Sequence, residues 1–227
     1  MDKTDIRSMY LPELKEMLKS LGQPSFRADQ LFRWLQSGVT DFSDMTNIPK
    51  SLRDKLSETA YIADVKIVKR YASQLDETVK YVYELFDGEY IESVLMKYEH
   101  GYTVCVSTQV GCRMGCSFCA SGINGLTRNL TASEILAQIT AAERDNGIRV
   151  SNIVMMGMGE PLDNFENSVR FLKLASDENG LNIGLRHISL STSGVVSGIK
   201  KLKEYNLPIT LSISLHAPND EIRSSIM

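Results

Sequence analysis

All four cysteines of the sequence, Cys105, Cys112, Cys116 and Cys119, fall between residues 105 and 119. A disulfide scaffold spreads its cysteines to close long loops, so this bunching points to metal or redox chemistry instead. The last three stand as Cys-x3-Cys-x2-Cys in Val110-Gly111-Cys112-Arg113-Met114-Gly115-Cys116-Ser117-Phe118-Cys119. Three thiolates on one tight loop can hold three irons of a cubane and leave the fourth iron open to a substrate. The alternative is a structural zinc site. Zinc wants four ligands in two separated pairs, no His follows at finger spacing, and only Cys105 is at hand as a fourth ligand.

Other residues group around this loop. Met156-Gly157-Met158-Gly159-Glu160-Pro161 follows an apolar run, and bare backbone at Gly157 and Gly159 would let a ligand approach while Glu160 accepts from an ammonium. The plainer reading is a glycine turn feeding a helix. Alternation places Ser189, Ser191 and Ser193 on one strand face, and Ser214, Leu215 and His216 close the next strand. Glu92 shares a strand face with Val94 and Met96, and an apolar surround that disfavours its charge would poise it as a general base. A glutamate paired with a lysine is the competing picture. Cys105, seven residues before Cys112, is either a reactive thiol or a buried inert one. Lys66, Lys69, Arg70, Arg113 and Arg128 could meet phosphates or form a solvated face.

These residues need elements to hold them. Leu11, Leu14, Met17, Leu18 and Leu21 repeat at helical spacing before Gly22; Phe26, Leu31, Phe32, Trp34 and Leu35 mark a second helix, and residues 49–58 a third. From Val65 to Tyr98 the period becomes two, and Asp87-Gly88 between such runs predicts a hairpin whose two central residues both need positive φ. Beyond residue 101, strands near 103–108, 152–156, 187–191 and 209–214 alternate with helices near 132–144, 165–176 and 195–204. Such alternation implies parallel strands with right-handed crossovers and chemistry at the strands' carboxyl ends. The fold class is α/β. Residues 1–60 read as a helical module, 61–100 as an antiparallel extension and 101–227 as a parallel core, and the last strand lacks its covering helix, so the sequence looks unfinished.

Composition narrows the setting. With 25 Lys plus Arg against 28 Asp plus Glu, the net charge of -3 provides no global field for nucleic acid, so RNA contact must be local. The charged N-terminus leads into no apolar signal region, and no stretch is long enough to cross a bilayer, which places the protein in the cytoplasm with no membrane partner.

The Cys-x3-Cys-x2-Cys loop with an aromatic before its last cysteine resembles the radical S-adenosylmethionine superfamily signature. Cys105 to Cys112, Met156 to Pro161 and Ser212-Ile213-Ser214-Leu215-His216-Ala217 resemble the RlmN/Cfr family, most closely its RlmN type; so do Phe26 to Phe32 and Asp44 to Asn47 near the N-terminus. The resemblance implies a partial (β/α) barrel truncated after its fourth strand, with an RNA-binding helical domain in front. It implies a 4Fe-4S cluster on Cys112, Cys116 and Cys119, and S-adenosylmethionine bound by Gly159, Glu160, Ser191, Ser214, Leu215 and His216. It implies methylation of adenine C2 in 23S rRNA and tRNA, with Glu92 removing the C2 proton and Cys105 resolving the protein–RNA link as a disulfide forms. A monomer fed by a donor such as flavodoxin or ferredoxin completes what it implies. The rivals are a Cfr-type enzyme acting on adenine C8 and a non-catalytic metal-binding RNA module. The family's methyl-carrying cysteine belongs to a C-terminal segment absent from this sequence, which predicts a deficiency in methyl transfer.

Overall fold

Near residue 60 the chain passes from helices to sheet, as the change of period requires; residues 3–227 are described by a computed structural model. A two-residue strand β1 (Thr4–Asp5) precedes helices α1 (Leu11–Ser20), α2 (Phe26–Gln36) and α3 (Lys50–Thr59). Helix α1 opens where the Glu13 carboxylate accepts the Tyr10 N–H at 2.6 Å, a reciprocal cap on an otherwise orphan donor. Strand β2 (Ala60–Tyr61) pairs in parallel with β1.

Next come β3 (Lys66–Ala72), β4 (Val79–Glu84) and β5 (Tyr90–Tyr98), an antiparallel set. The turn between β4 and β5 differs from the expected two-residue form. Only Gly88 takes positive φ, at 84°, and Leu85 exchanges hydrogen bonds with Gly88 and Glu89. Three residues, Phe86-Asp87-Gly88, therefore make the turn, with glycine at the left-handed position that closes a bulge.

Strand β6 (Gly101–Cys105) then runs into β7 (Gln109–Gly111), which pairs with β8 (Leu126–Asn129) in a separate two-stranded sheet. The strand expected over 103–108 thus breaks off at Cys105. Its break is held by Ser107, whose backbone N–H and C=O both bond the buried Gln138 amide, at 2.8 and 2.9 Å. Helix α4 (Ala132–Asn146), which carries Gln138, starts at a Thr131/Glu134 capping box and stops at left-handed Gly147. Strand β9 (Val150–Met155), α5 (Phe165–Ala175), β10 (Ile188–Thr192), α6 (Val196–Glu204), β11 (Thr210–Ile213) and the short α7 (Asp220–Ile226) follow.

One seven-stranded sheet results, ordered β11-β10-β9-β6-β5-β4-β3. The four strands β6, β9, β10 and β11 are parallel, and β3 to β5 continue the same sheet antiparallel. Ile91, Leu95, Val104, Ile153, Met155, Ile188 and Leu190 point to the covered face and are all but sealed. The opposite face is more open to solvent. Register threads a single row across it through all seven strands: Tyr71, Lys80, Val94, Cys105, Val154, Ser189 and Thr210. At the free edge, Leu211 and Ile213 of β11 are 37% and 49% exposed.

The N-terminal helices pack behind the sheet, and one apolar cluster runs from Ile6 through Phe32 to Phe171 and Leu202. Arg7, fully buried, donates to the Thr140 hydroxyl of α4 at 3.0 Å, and Arg170 of α5 grips Glu13 at 2.6 Å. Among the described residues, no helix is long and apolar enough to cross a membrane.

Candidate active site

The three clustered cysteines lie on the loop between β7 and β8, at the carboxyl end of β6. Gly111 starts the loop at φ 77°, and a Cβ there would lie 2.0 Å from the Gly125 carbonyl, so only glycine lets the two arms close. The Cys112 N–H then donates to that carbonyl at 3.0 Å, and Cys119 N–H donates to Cys116 O. All four cysteines are free, Cys112 buried and the others half-buried, so the disulfide that Cys105 was expected to enter is not formed in this state. Burial pushes the Cys112 thiol up, opposed by the Met114 N–H; Glu160, Cys119 and Cys116 add to the rise, which puts all of them within electrostatic reach.

Cys112, Cys116 and Cys119 line one cavity of about 330 Å³, together with Gly157, Gly159, Glu160, Ser191, Ser193, Ser214 and His216. Cys105 lines the adjoining cavity of about 570 Å³, and Met156 borders both. Cys105 is therefore no fourth member of the thiol ring. Among the described residues, no three His, Cys, Asp or Glu side chains converge on one point as a single ion would need. Three soft thiols around a cavity, with no fourth, are a donor set that fits a cubane with an open corner.

The wall opposite is built by Gly157 to Glu160, and here the reason for the residues changes. A Cβ on Gly157 would lie 2.7 Å from the Val106 carbonyl, and one on Gly159, at φ 99°, would lie 2.6 Å from the Gln109 Cβ. The glycines admit the protein's own β6–β7 segment, where ligand approach was expected. Glu160 is only 3% exposed. Its carboxylate accepts the Ser193 N–H at 2.7 Å and the Leu162 N–H at 2.9 Å, tying the loop after β9 to the loop after β10. A carboxylate has about four lone-pair sites, so two stay available to an ammonium in the cavity.

Ser191 of β10 and Ser214, one residue past β11, hold their hydroxyls 3.3 Å apart, and Ser189 and Ser212 repeat the contact two residues earlier. His216 adopts a left-handed φ of 56° and sets its ring edge-on to Phe118 of the cysteine loop at 4.8 Å. Non-glycine residues hold that conformation only where the surroundings compel it. Leu215 differs from its neighbours: its side chain is 63% exposed and lines neither cavity.

Cys105 and Glu92 lie on the open face of adjacent strands, because Cys105 pairs with Val94, two residues from Glu92. Such diagonal neighbours stand roughly 7–8 Å apart. Burial pushes the Cys105 thiol up, with a lowering contribution from the Met156 backbone. Glu92 is not enclosed as expected. It is exposed and salt-bridged to Lys80 at 2.7 Å, because the open face leaves its end of β5 to solvent.

The Radical SAM superfamily model matches residues 106–227, which takes in the cysteine loop and every strand that builds the cavity. This chain belongs to the radical SAM superfamily. The model of the ribosomal RNA large subunit methyltransferase N-terminal domain matches residues 4–62, and within the superfamily the chain is of RlmN type. It is 53% identical over its full length to the probable dual-specificity RNA methyltransferase RlmN of Alkaliphilus oremlandii, and 52% identical over 98% of its length to that of Clostridium novyi. It covers 66% and 65% of those relatives, so the chain spans just under two thirds of their length. The crystal structure of a radical SAM methyltransferase from Sphaerobacter thermophilus superposes with a TM-score of 0.92 at 44% identity, over 99% of this chain and 67% of that one.

Around this radical SAM cavity, most of the expected phosphate contacts are already engaged. Arg128 is clamped between Asp87 and the buried Glu134, Arg113 pairs with Asp163 at 2.9 Å, Arg70 with Asp145 at 2.8 Å, and Lys66 with Glu84 at 2.8 Å. Sequence reasoning missed the polar frame behind the loop. Gln109 accepts the Glu160 N–H and donates to Asn129 and Asp163, each at 2.8 Å, while Asn164 donates to the Thr108 and Leu130 carbonyls. A signal was present in Ser107-Thr108-Gln109, three polar residues where an apolar strand was expected to continue.

Proposed function

We propose that this protein is a radical S-adenosylmethionine RNA methyltransferase acting on C2 of an adenine in 23S rRNA and tRNA. The observation that carries it is the single cavity in which three thiols face Gly159, Glu160 and the paired Ser191 and Ser214. Cys112, Cys116 and Cys119 would hold a 4Fe-4S cluster. When bound, such a cluster supplies the electron that cleaves a sulfonium and so opens a radical route to a C–H carbon.

The chain's own residues do the rest. Glu160, fixed by two backbone donors, offers its free lone pairs to the cofactor's ammonium, and the Ser191 and Ser214 hydroxyls face the same space. His216 and Phe118 bridge the cysteine loop to the end of β11. Glu92 is assigned the proton taken from the base, its carboxylate held by the Lys80 ammonium at 2.7 Å. Cys105, a half-buried thiol one cavity away, resolves the link between protein and RNA: once deprotonated, its sulfur attacks the linking sulfur, an S–S bond forms as the S–C bond to the RNA breaks, and the released carbon takes up a proton. Each of the four cysteines then has a role and none is left to carry methyl. A cytoplasmic monomer reduced by a flavodoxin- or ferredoxin-like donor completes the proposal.

The N-terminal match over residues 4–62 supports C2 over the C8 chemistry of the Cfr type. Anaerobic reconstitution with iron and sulfide, reduction, and chromatography for 5′-deoxyadenosine test the proposal. We expect 5′-deoxyadenosine from the parent protein and none from Cys116→Ala. Zinc in place of iron, or no cleavage product, would defeat it in favour of a metal-binding RNA module, and 8-methyladenosine in the modified RNA would defeat the C2 assignment alone.

A further inference from the structure

The open face of the antiparallel strands carries a second depression, of about 630 Å³, lined by Val68, Lys69, Tyr71, Lys80, Val82, Tyr90 and Glu92. It adjoins the catalytic candidates directly, since Glu92 forms its rim and Lys80 pairs through Val94 to Cys105. Two features set it apart from an ordinary solvated sheet face. Tyr71 and Tyr90 are 54% and 52% exposed, so two large aromatic rings stand in water on a surface that could have been polar at no cost to the core. The cations between them outnumber the acids: Lys66 is matched by Glu84 and Lys80 by Glu92, while Lys69 has no ion-pair partner among the described residues. The register shift between Ile67 and Lys69 is what turns Lys69 and Tyr71 to this face, opposite Val82 and Lys80.

We propose that this face is an RNA groove, in which the single strand flanking the reacting base stacks on Tyr71 and Tyr90 and sets a phosphate against Lys69, the lysine that no acid engages among the described residues. The inference rests on the reading of the protein as an RNA methyltransferase and adds where the RNA lies. Exposed tyrosines on a sheet, spaced by lysines, are what sequence-tolerant binding of unpaired RNA requires, because every base has a π-face and every linkage a charge. A protein partner would call for contiguous apolar area, which the lysines and acids interrupt. Tyr71 and Tyr90 stand two strands and four residues apart in register, roughly 17 Å from strand spacing and rise. That is several times the stacking distance of about 3.4 Å, so the two rings would hold separate, splayed bases and not one stacked pair. A strand so splayed presents a base toward Glu92 already out of its stack.

The test uses the 227-residue chain and an RNA hairpin with an unpaired adenine loop, labelled for anisotropy and carrying 4-thiouridine for crosslinking. Tyr71→Ala is expected to weaken binding about tenfold. Lys69→Ala is expected to weaken it less and to flatten the dependence of log Kd on log salt by about one unit. Lys203→Ala, on the helical side, should leave affinity unchanged, and crosslinks should map to residues 66–72 or 79–92. Crosslinks confined to the helical face, affinities equal to that of Lys203→Ala, or no binding by the parent chain would each overturn the groove. So would a dimer in sedimentation that dissociates in Tyr71→Ala, because the face would then seat a second copy. Release of 5′-deoxyadenosine is measured in parallel without RNA: its presence alongside a failed groove leaves the function standing, and its absence removes the function wherever the RNA binds.

Discussion

Replacing Glu160 by Gln keeps the side chain's size and shape and exchanges one acceptor oxygen for an NH2 donor, and the structure makes that exchange matter. At 3% exposure, the two carboxylate oxygens accept the N–H groups of Ser193 and Leu162 at 2.7 and 2.9 Å. A glutamine can present its carbonyl to one of them, but in either flip its NH2 group faces the other N–H, donor against donor. One charge-assisted bond becomes neutral and the second is lost with its buried donor unsatisfied, together costing about 3 kcal/mol. For a chain of this size each kcal/mol moves the midpoint by about 2–4 °C, so Glu160→Gln is expected to melt about 6–12 °C below the parent. Circular dichroism melts of the metal-free protein measure this without any contribution from cluster or cofactor. The control is Glu166→Gln, which removes an exposed pair with Lys201 and should shift the midpoint by less than about 2 °C. If the two variants melt together, Glu160 does not brace the loops after β9 and β10, and its burial must serve ligand binding alone.

Three further outcomes follow from the same geometry. Gly157→Ala would force a methyl group to 2.7 Å from the Val106 carbonyl and 2.8 Å from the Ser107 nitrogen, both backbone, and should lower stability by about 3 kcal/mol or more in denaturant melts. Burial raises the Cys105 thiol, so thiolate becomes available only at higher pH. Mass-mapped alkylation should therefore reach half its maximal rate at Cys105 above the pH found for a short cysteine peptide. The sign carries over to stability: the contribution of this thiol is present below the ordinary thiol value and is lost as pH rises through the raised one. Arg128→Met strips the partner from Glu134, whose side chain is 2% exposed, and should cost about 3–5 kcal/mol while leaving the salt slope of RNA binding unchanged. A changed slope with unchanged stability would return Arg128 to the phosphate contacts.

The cysteine spacing was legible from the residues alone because three ligands on one short loop are a local fact, written within a few positions of one another. So were the helices of the first sixty residues and the alternation beyond residue 101, since periods of 3.6 and 2 record which side of each element meets the core. The serine face of β10 was legible for the same reason, with Ile188 and Leu190 buried and Ser189 and Ser191 turned the other way. Where a property depended on a partner far along the chain, periodicity was silent. That Gly157 and Gly159 make room for residues 106–109, that Glu160 bonds Ser193, and that Arg128 is held by Asp87 are contacts between segments whose meeting is set by sheet order. Glu92 shows the limit most plainly: alternation gave its face correctly, but only the tertiary structure decided that this face is open, with Lys80 beside the carboxylate. Pattern within an element reports which way a side chain points; what it finds there depends on which strands lie next to each other, and that is settled by the packing of the whole chain.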